Sequence, residues 1–267
     1  MDDWRTYDSV AELYGRVHAP RFAEAAQDLV RALEVVEGDR VLDVGTGTGV
    51  GVEAATNVEA TAVGVDRSLA MLAVGHRARP SLPLLAAQVV DLPFRDRTFD
   101  VVMGNFVLAH FVKVETALFD VRRVLRPDGR VGFTAWADGK DAFQDAWLEL
   151  VENVVPRDML APAYAAAAPG HERLKHPEAI VETLRQAGFR RVRAERRRYQ
   201  WTYARDELVE GLGTWTVGRF VREMLGESGW ASLMERTRAV FADRFPDPLN
   251  DFRDVIVAVG ASRAELS

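Results

Sequence analysis

The chain of 267 residues contains no cysteine. That absence removes disulfides, thiolate nucleophiles and the common zinc frameworks together, while leaving the compartment undetermined. No run approaches the ~18 unbroken apolar residues of a membrane span, and the opening MDDWRTYDSV has neither a basic start nor an apolar signal core, so a cytoplasmic protein without membrane partners is expected. The five histidines, at 18, 76, 110, 171 and 176, lack i, i+4 ligand spacing, and no metal site is expected. An excess of positive charge is missing too. The 34 basic and 40 acidic residues leave −6, which gives no global attraction to nucleic acid or anionic lipid. What is present is ordinary for a packed chain: 48% hydrophobic and 28% charged residues, enough for one large domain with insertions.

Short apolar runs alternate with helical ones. Two helix-like stretches, 9–17 and 22–33, open the chain; Phe22, Ala26, Leu29, Val30 and Leu33 share one face of the second. Strands are predicted at 41–45, 61–66, 82–88, 99–104 and 130–136, a sixth at 191–202 and a closing one at 255–259. Unbroken apolarity over Phe99–Met103 suits a strand covered on both faces, as in parallel sheets. The fold class is therefore α/β, doubly wound. Helical pattern also fills 204–245, and a stripe of Phe143, Trp147, Leu150, Val151 and Val154 follows the fifth strand. The expected layout is an N-terminal helical arm (1–37), a core (38–137) and two helical inserts (138–176 and 204–245). The inserts either form a lid over a substrate or simply pack on the sheet.

The most informative segment is Val41-Leu-Asp-Val-Gly-Thr-Gly-Thr-Gly49, a strand that runs into alternate glycines and then a helix. Lacking side chains, Gly45, Gly47 and Gly49 let the backbone turn sharply and approach a ligand, while the helix start presents unpaired amides. Steric need alone also explains many glycine turns. The spacing departs from the dinucleotide pattern G-x-G-x-x-G, because the third position falls on Val50 or Val52. Asp43, just ahead of the loop, would repel a pyrophosphate and suits a cationic ligand group. Asp66, ending the second strand, is placed to accept hydrogen bonds from ribose hydroxyls; its alternative role as a helix cap is better filled by Ser68.

Together with Gly64-Val-Asp-Arg-Ser-Leu-Ala-Met-Leu72, Asp91-Leu-Pro-Phe94, Phe99-Asp-Val-Val102 and Val124-Leu-Arg-Pro-Asp-Gly129, the loop resembles the class I S-adenosylmethionine-dependent methyltransferases, specifically the small-molecule branch with the ubiquinone and menaquinone enzymes. The resemblance is close over about residues 35 to 137 and looser from Glu178 onward. It implies a Rossmann-like seven-strand sheet whose last strand is antiparallel, with S-adenosyl-L-methionine across the carboxyl ends of the first strands. It gives Gly45, Thr46, Gly47 and Gly49 to the methionine part of that cofactor, Asp43 to its ammonium through water, and Asp66 to the ribose. The position four before Leu92, an aspartate in relatives, is Gln88 here, whose carbonyl can still accept from the adenine amino group. Val89 would offer a backbone amide to the ring, Arg67 and Met71 would flank the base, and Asn105 would face the methionine portion or the methyl group. For Met71 a core position explains the residue equally well.

Methyl transfer from a sulfonium needs position and a dry site more than a dedicated base. The best base, if one acts, is His110, which leaves the fourth strand where the methyl would lie; a purely structural histidine is the alternative. Tyr14 and His18 of the arm are expected over the cofactor and acceptor, with Trp136, Trp215 and Phe220 as an aromatic wall for a planar or polyketide-like acceptor. Tryptophans at helical spacing are also common in cores. Six arginines within Arg190–Arg198 read as a solvated outer strand, with Arg191, Arg193 and Arg197 on one side, rather than a nucleic-acid face. The activity expected is methylation of oxygen or carbon on a small acceptor by a monomer or homodimer. A cyclase of natural-product biosynthesis on this fold, or a non-catalytic binding protein, are the rival readings.

Overall fold

The computed structural model describes residues 7–139 and 142–262; residues 1–6, which begin the segment read above for a signal core, lie outside the described residues. The arm forms α1 (Ala11–Val17) and α2 (Ala19–Ala32). The second helix starts three residues before the expected Phe22, because Pro20 sits in its first turn, where no backbone donor is needed. The core then alternates β1 (Arg40–Val44), α3 (Val50–Thr56), β2 (Thr61–Asp66), α4 (Leu69–Ala78), β3 (Leu84–Ala86), β4 (Phe99–Gly104), α5 (Val114–Val124) and β5 (Leu125–Trp136). Four helices follow: α6 (Ala142–Glu152), α7 (Arg157–Ala167), α8 (His171–Leu174) and α9 (Pro177–Gln186). The chain closes with β6 (Arg190–Tyr203), α10 (Arg205–Gly211), α11 (Thr216–Arg244), bent at Gly226, and β7 (Leu249–Ala261). Among the described residues no helix is long and apolar enough to cross a membrane.

All seven strands form one sheet in the order β3-β2-β1-β4-β5-β7-β6, with β1 to β5 parallel and β7 antiparallel to both neighbours. The order reverses between β1 and β4, which opens a crevice at the carboxyl ends of these strands. One face is packed by a cluster that joins β4 and β5 to α5 and α9, the other by a cluster around α2 and α3. A third cluster, with Trp147, Leu208, Val221, Leu233 and Phe241, joins the inserted helices to the far ends of β6 and β7.

β3 is shorter than the expected 82–88, and two strands begin well before their expected starts for local reasons. β5 begins at Leu125 rather than 130, because Leu125 pairs with Phe99 before the register shifts and resumes at Val101 with Arg130; Asp128 takes a left-handed φ of 61° in the bulge. β7 begins at Leu249 rather than 255, and its pairing with β6 outruns the rest of the sheet. β5 ends opposite Val255, whereas Tyr199, Trp201 and Tyr203 continue opposite Arg253, Asp251 and Leu249. Along this overhang Tyr199, Trp201 and Tyr203 are buried and the residues between them exposed, the period-two pattern of a half-buried ribbon. β6 is the sheet edge, as its arginines implied. A bulge between Arg190 and Arg193, with Arg191 at φ 51°, takes Arg191 out of the expected alternation with Arg193 and Arg197. Arg197 meets Asp28 and Glu195, and Arg198 meets Asp254, so much of this charge is compensated within the fold.

Candidate cofactor and acceptor cavity

A cavity of about 1210 Å³ occupies the crevice, larger than the ~300 to 1,000 Å³ of an ordinary small-molecule site. Its floor begins at the glycine loop. Gly45 (φ 67°) and Gly47 (φ 55°) border the space, both in left-handed backbone. A Cβ on Gly45 would drive into Val107, whereas one on Gly47 would meet only the Met71 methyl, at 3.2 Å, so the loop is open on its cavity side. Gly49 and Thr46 do not border the cavity. Gly49 (φ 90°) caps α3, and Thr46 turns its hydroxyl back to donate to Asp43 at 2.6 Å.

Asp43 also lies behind the loop rather than on the cavity wall; a Cβ on Gly51 would collide with its carboxylate. It is 1% exposed, and Oδ1 has no hydrogen-bond partner among the described residues. Burial pushes its pKa up to about 7, against the Thr46 hydrogen bond, with the Asp66 charge adding to the rise. Asp66 closes β2 beside it. Its Oδ2 accepts from Gly47 N–H at 2.9 Å and its Oδ1 from Ser68 N–H at 2.8 Å, so each oxygen keeps a further lone pair. Burial raises the Asp66 pKa, opposed by these two amides. Ser68, rather than Asp66, caps α4 by accepting from Met71 N–H.

Arg67, Met71, Gln88 and Val89 border the same end of the cavity. The loop that carries Gln88 is braced from α5. Asp120 accepts from Leu92 N–H at 2.6 Å, and Arg123 donates to the carbonyls of Phe94 and Leu92 at 2.7 and 3.0 Å. The Asp91–Phe94 motif is thereby fixed through its backbone.

At the middle of the cavity Asn105 is locked. Its Nδ2 donates to the Phe22 carbonyl at 3.1 Å, and its Oδ1 accepts from the fully buried Thr134 hydroxyl at 2.6 Å, which in turn accepts from Phe106 N–H at 2.9 Å. His110 ends a short 3-10 turn, Leu108–His110, and its Nδ1 lies 2.9 Å from the Ala167 carbonyl. A carbonyl only accepts, so the proton resides on Nδ1 and Nε2 keeps its lone pair. Burial lowers the His110 pKa to about 4, and the charges of Arg219 and Arg67 lower it further, against the Ala167 bond. The arm covers this region with Tyr7, Tyr14 and His18. Tyr14 meets the Tyr7 ring at 5.4 Å, and burial raises its phenol well above the usual range. His18 stacks on Phe22 and is held near pKa 4 by burial.

The far end is aromatic. Trp136 stacks on Phe106 at 4.4 Å, and Phe22 and Trp201 meet the same indole edge-on. Trp215 borders the cavity, but Phe220 does not; it packs beside the third cluster, since helical rotation turns Val217 and Val221 inward instead. Trp147 is core, and the partly buried Trp230 packs against it from the edge of that cluster. Phe22, Phe106, Thr134, Trp201, Asp251 and Arg253 also line the space and were not singled out from the sequence. The alternation Tyr199-x-Trp201-x-Tyr203 was a usable signal for Trp201, whereas nothing in the local pattern marks Phe106 or Thr134.

The residues present fit a nucleoside with a cationic amino-acid tail: an open glycine cradle, a carboxylate with spare lone pairs, Gln88 on the cavity wall and an unpartnered buried carboxylate oxygen behind the loop. Comparison with known proteins agrees. A family model described as a methyltransferase domain matches residues 42–133. The chain is 30% identical over 198 residues to the demethylmenaquinone methyltransferase of Streptomyces avermitilis, covering 70% of this chain and 85% of that one. Three further demethylmenaquinone methyltransferases, 34 to 39% identical, align over less than half their own length. A Haemonchus contortus phosphoethanolamine N-methyltransferase 2 in complex with S-adenosyl-L-methionine has a TM-score of 0.58 at 17% identity, over 99% of this chain and 61% of that one. The [4+2]-cyclase SpnF has a TM-score of 0.55 at 19% identity, over 91% and 81%. Likeness at these identities establishes the fold.

Proposed function

This chain belongs to the class I S-adenosylmethionine-dependent methyltransferases, and from that premise we propose that it methylates an oxygen or carbon of a small aromatic or polyketide-like acceptor. The carrying observation is one shared cavity: Gly45, Gly47, Asp66 and Gln88 border its cofactor end, and Asn105, His110, Trp136 and Trp215 continue the same wall. Its volume exceeds what one ligand needs, which supports side-by-side binding of donor and acceptor.

When bound, S-adenosylmethionine supplies an activated methyl on a sulfonium, open to in-line displacement. Asp66 would accept from the two ribose hydroxyls. The backbone of Gly45 and Gly47 would approach the methionine part, and the buried Asp43 would favour its ammonium from one layer behind the loop. Gln88 would accept from the adenine amino group, with Val89, Arg67 and Met71 around the ring. Asn105, held by Thr134 and Phe22, cannot reorient, which favours a fixed methyl position. Such positioning is worth up to ~7 to 11 kcal/mol of barrier. For a phenolic or enolic acceptor His110 Nε2 would take the hydroxyl proton as the new carbon–oxygen bond forms, contributing ~10² to 10⁴ in rate, and its low pKa returns that proton to solvent. The inserts 138–176 and 204–245, with the arm, would exclude water as a lid.

Incubation with labelled S-adenosylmethionine and acceptor pools, followed by mass spectrometry, tests the proposal. A methylated product with S-adenosylhomocysteine is expected. Formation of an isomer of unchanged mass would assign the cavity to a cyclisation, and absence of calorimetric binding at millimolar cofactor would end the reading.

A further inference from the structure

We propose that the Asp251–Arg253 pair and the indole N–H of Trp201, on the overhanging end of the β6–β7 ribbon, anchor a neutral oxygen function of a planar acceptor, a phenolic hydroxyl or a ring carbonyl. The inference rests on the methyl-transfer reading and names the chemistry of its acceptor.

The ribbon places these groups together. Trp201 pairs with Asp251 in register, and along the overhang Tyr199, Trp201, Tyr203, Leu249 and Asp251 are buried while the residues at 200, 202, 250 and 252 are exposed. Asp251 is 4% exposed and accepts from Arg253 Nε at 2.9 Å on both oxygens, so an ion pair is built into the wall beside the aromatic rings. The Arg253 guanidinium lies 6.0 Å from the Trp136 ring and 5.6 Å from the Trp215 ring. Trp201, 7% exposed, borders the cavity, and its Nε1 has no hydrogen-bond partner among the described residues. A buried indole N–H left unpaired is unfavourable. Its retention beside a cavity fits an oxygen brought by a ligand.

Charge then selects the ligand. Asp251 and Arg253 sum to zero, and nearby Arg21 is held by Glu207 at 3.0 Å. An anionic acceptor meets Asp251 and a cationic one meets Arg253, whereas a hydroxyl can donate to the carboxylate and accept from Trp201 without desolvating a new charge. The stacked Phe106 and Trp136 rings favour a flat body.

The test is calorimetry on the full chain saturated with S-adenosylhomocysteine, using 1-naphthol, naphthalene-1-carboxylate and 1-naphthylmethylammonium as probes. 1-Naphthol is expected to bind about tenfold or more tighter than either ion. W201F is expected to weaken 1-naphthol by about five- to tenfold, one hydrogen bond's worth. D251N, which removes the negative charge of the pair, is expected to shift the preference toward the carboxylate, a change that a purely structural role would not produce. Comparable affinity for the three probes, or W201F binding 1-naphthol as the parent does, would overturn the proposal. Failure to bind S-adenosylhomocysteine at all would instead overturn the methyltransferase reading beneath it.

Discussion

His110 is held in one tautomer. With Nδ1–H committed to the Ala167 carbonyl, Nε2 is the basic atom, and burial keeps the ring neutral down to about pH 4. If it takes the acceptor proton, kcat should stay flat through pH 6.5, where an ordinary histidine titrates, and fall only toward about pH 4; H110A should lower the plateau by ~10² to 10⁴. An unchanged plateau at saturating acceptor removes His110 from the chemistry. Asp43 gives a separate limb. Burial pushes its carboxyl up to about 7; if the ionised form serves the cofactor's ammonium as proposed, cofactor affinity should rise with pH through about 7 and D43N should flatten that rise, read by calorimetry. Both shifts also act on stability, with opposite signs. His110 has its folded pKa depressed from 6.5 to about 4, so the stability it contributes above 6.5 is lost as pH falls across that window. Asp43 is raised from 3.8 to about 7, and its contribution is lost as pH rises across that one. At Asp66, alanine removes the ribose acceptor and should weaken cofactor binding by about 1 to 3 kcal/mol; affinity equal to the parent's would discredit the assignment.

Elements position these groups through buried hydrogen bonds between them. The strut Phe22–Asn105–Thr134–Phe106 ties α2, the exit of β4 and β5 into one unit. T134V keeps the shape but strands the Asn105 carbonyl oxygen and the Phe106 N–H. It should cost about 1 to 3 kcal/mol, a fall of some 2 to 10 °C in Tm by calorimetry, and should lower kcat more than cofactor affinity. A Tm within a degree of the parent's would show that the strut carries no load. At this scale the sequence was partly readable. Periodicity located every strand, yet neither the bulge that lets β5 begin at Leu125 nor the six-residue extension of β7 leaves a mark in hydropathy, because both follow from pairing with a partner strand.

Across the whole molecule, three packed clusters leave one large space between them, bounded by the arm, the sheet and the inserted helices. A ligand gripped there bridges all three and stabilises the native state by mass action. Saturation with S-adenosylhomocysteine at 100 times its Kd should add about 2.7 kcal/mol, or ~5 to 10 °C in Tm. No shift at that concentration would mean that the space does not receive the cofactor.

Strand periodicity laid out the α/β architecture, and the glycine loop with its flanking motifs carried the family resemblance, without coordinates, because those signals are local: each depends on residues adjacent in the chain. The tertiary structure alone decided that Asp43 sits behind the loop, that Phe220 turns away while Trp215 borders the space, and that Trp201, Asp251 and Arg253 meet at its far end. Those facts depend on side-chain direction and on contacts between segments as far apart as Phe22 and Arg253, and burial of that kind is set by the neighbours folding supplies rather than by any residue's own sequence context.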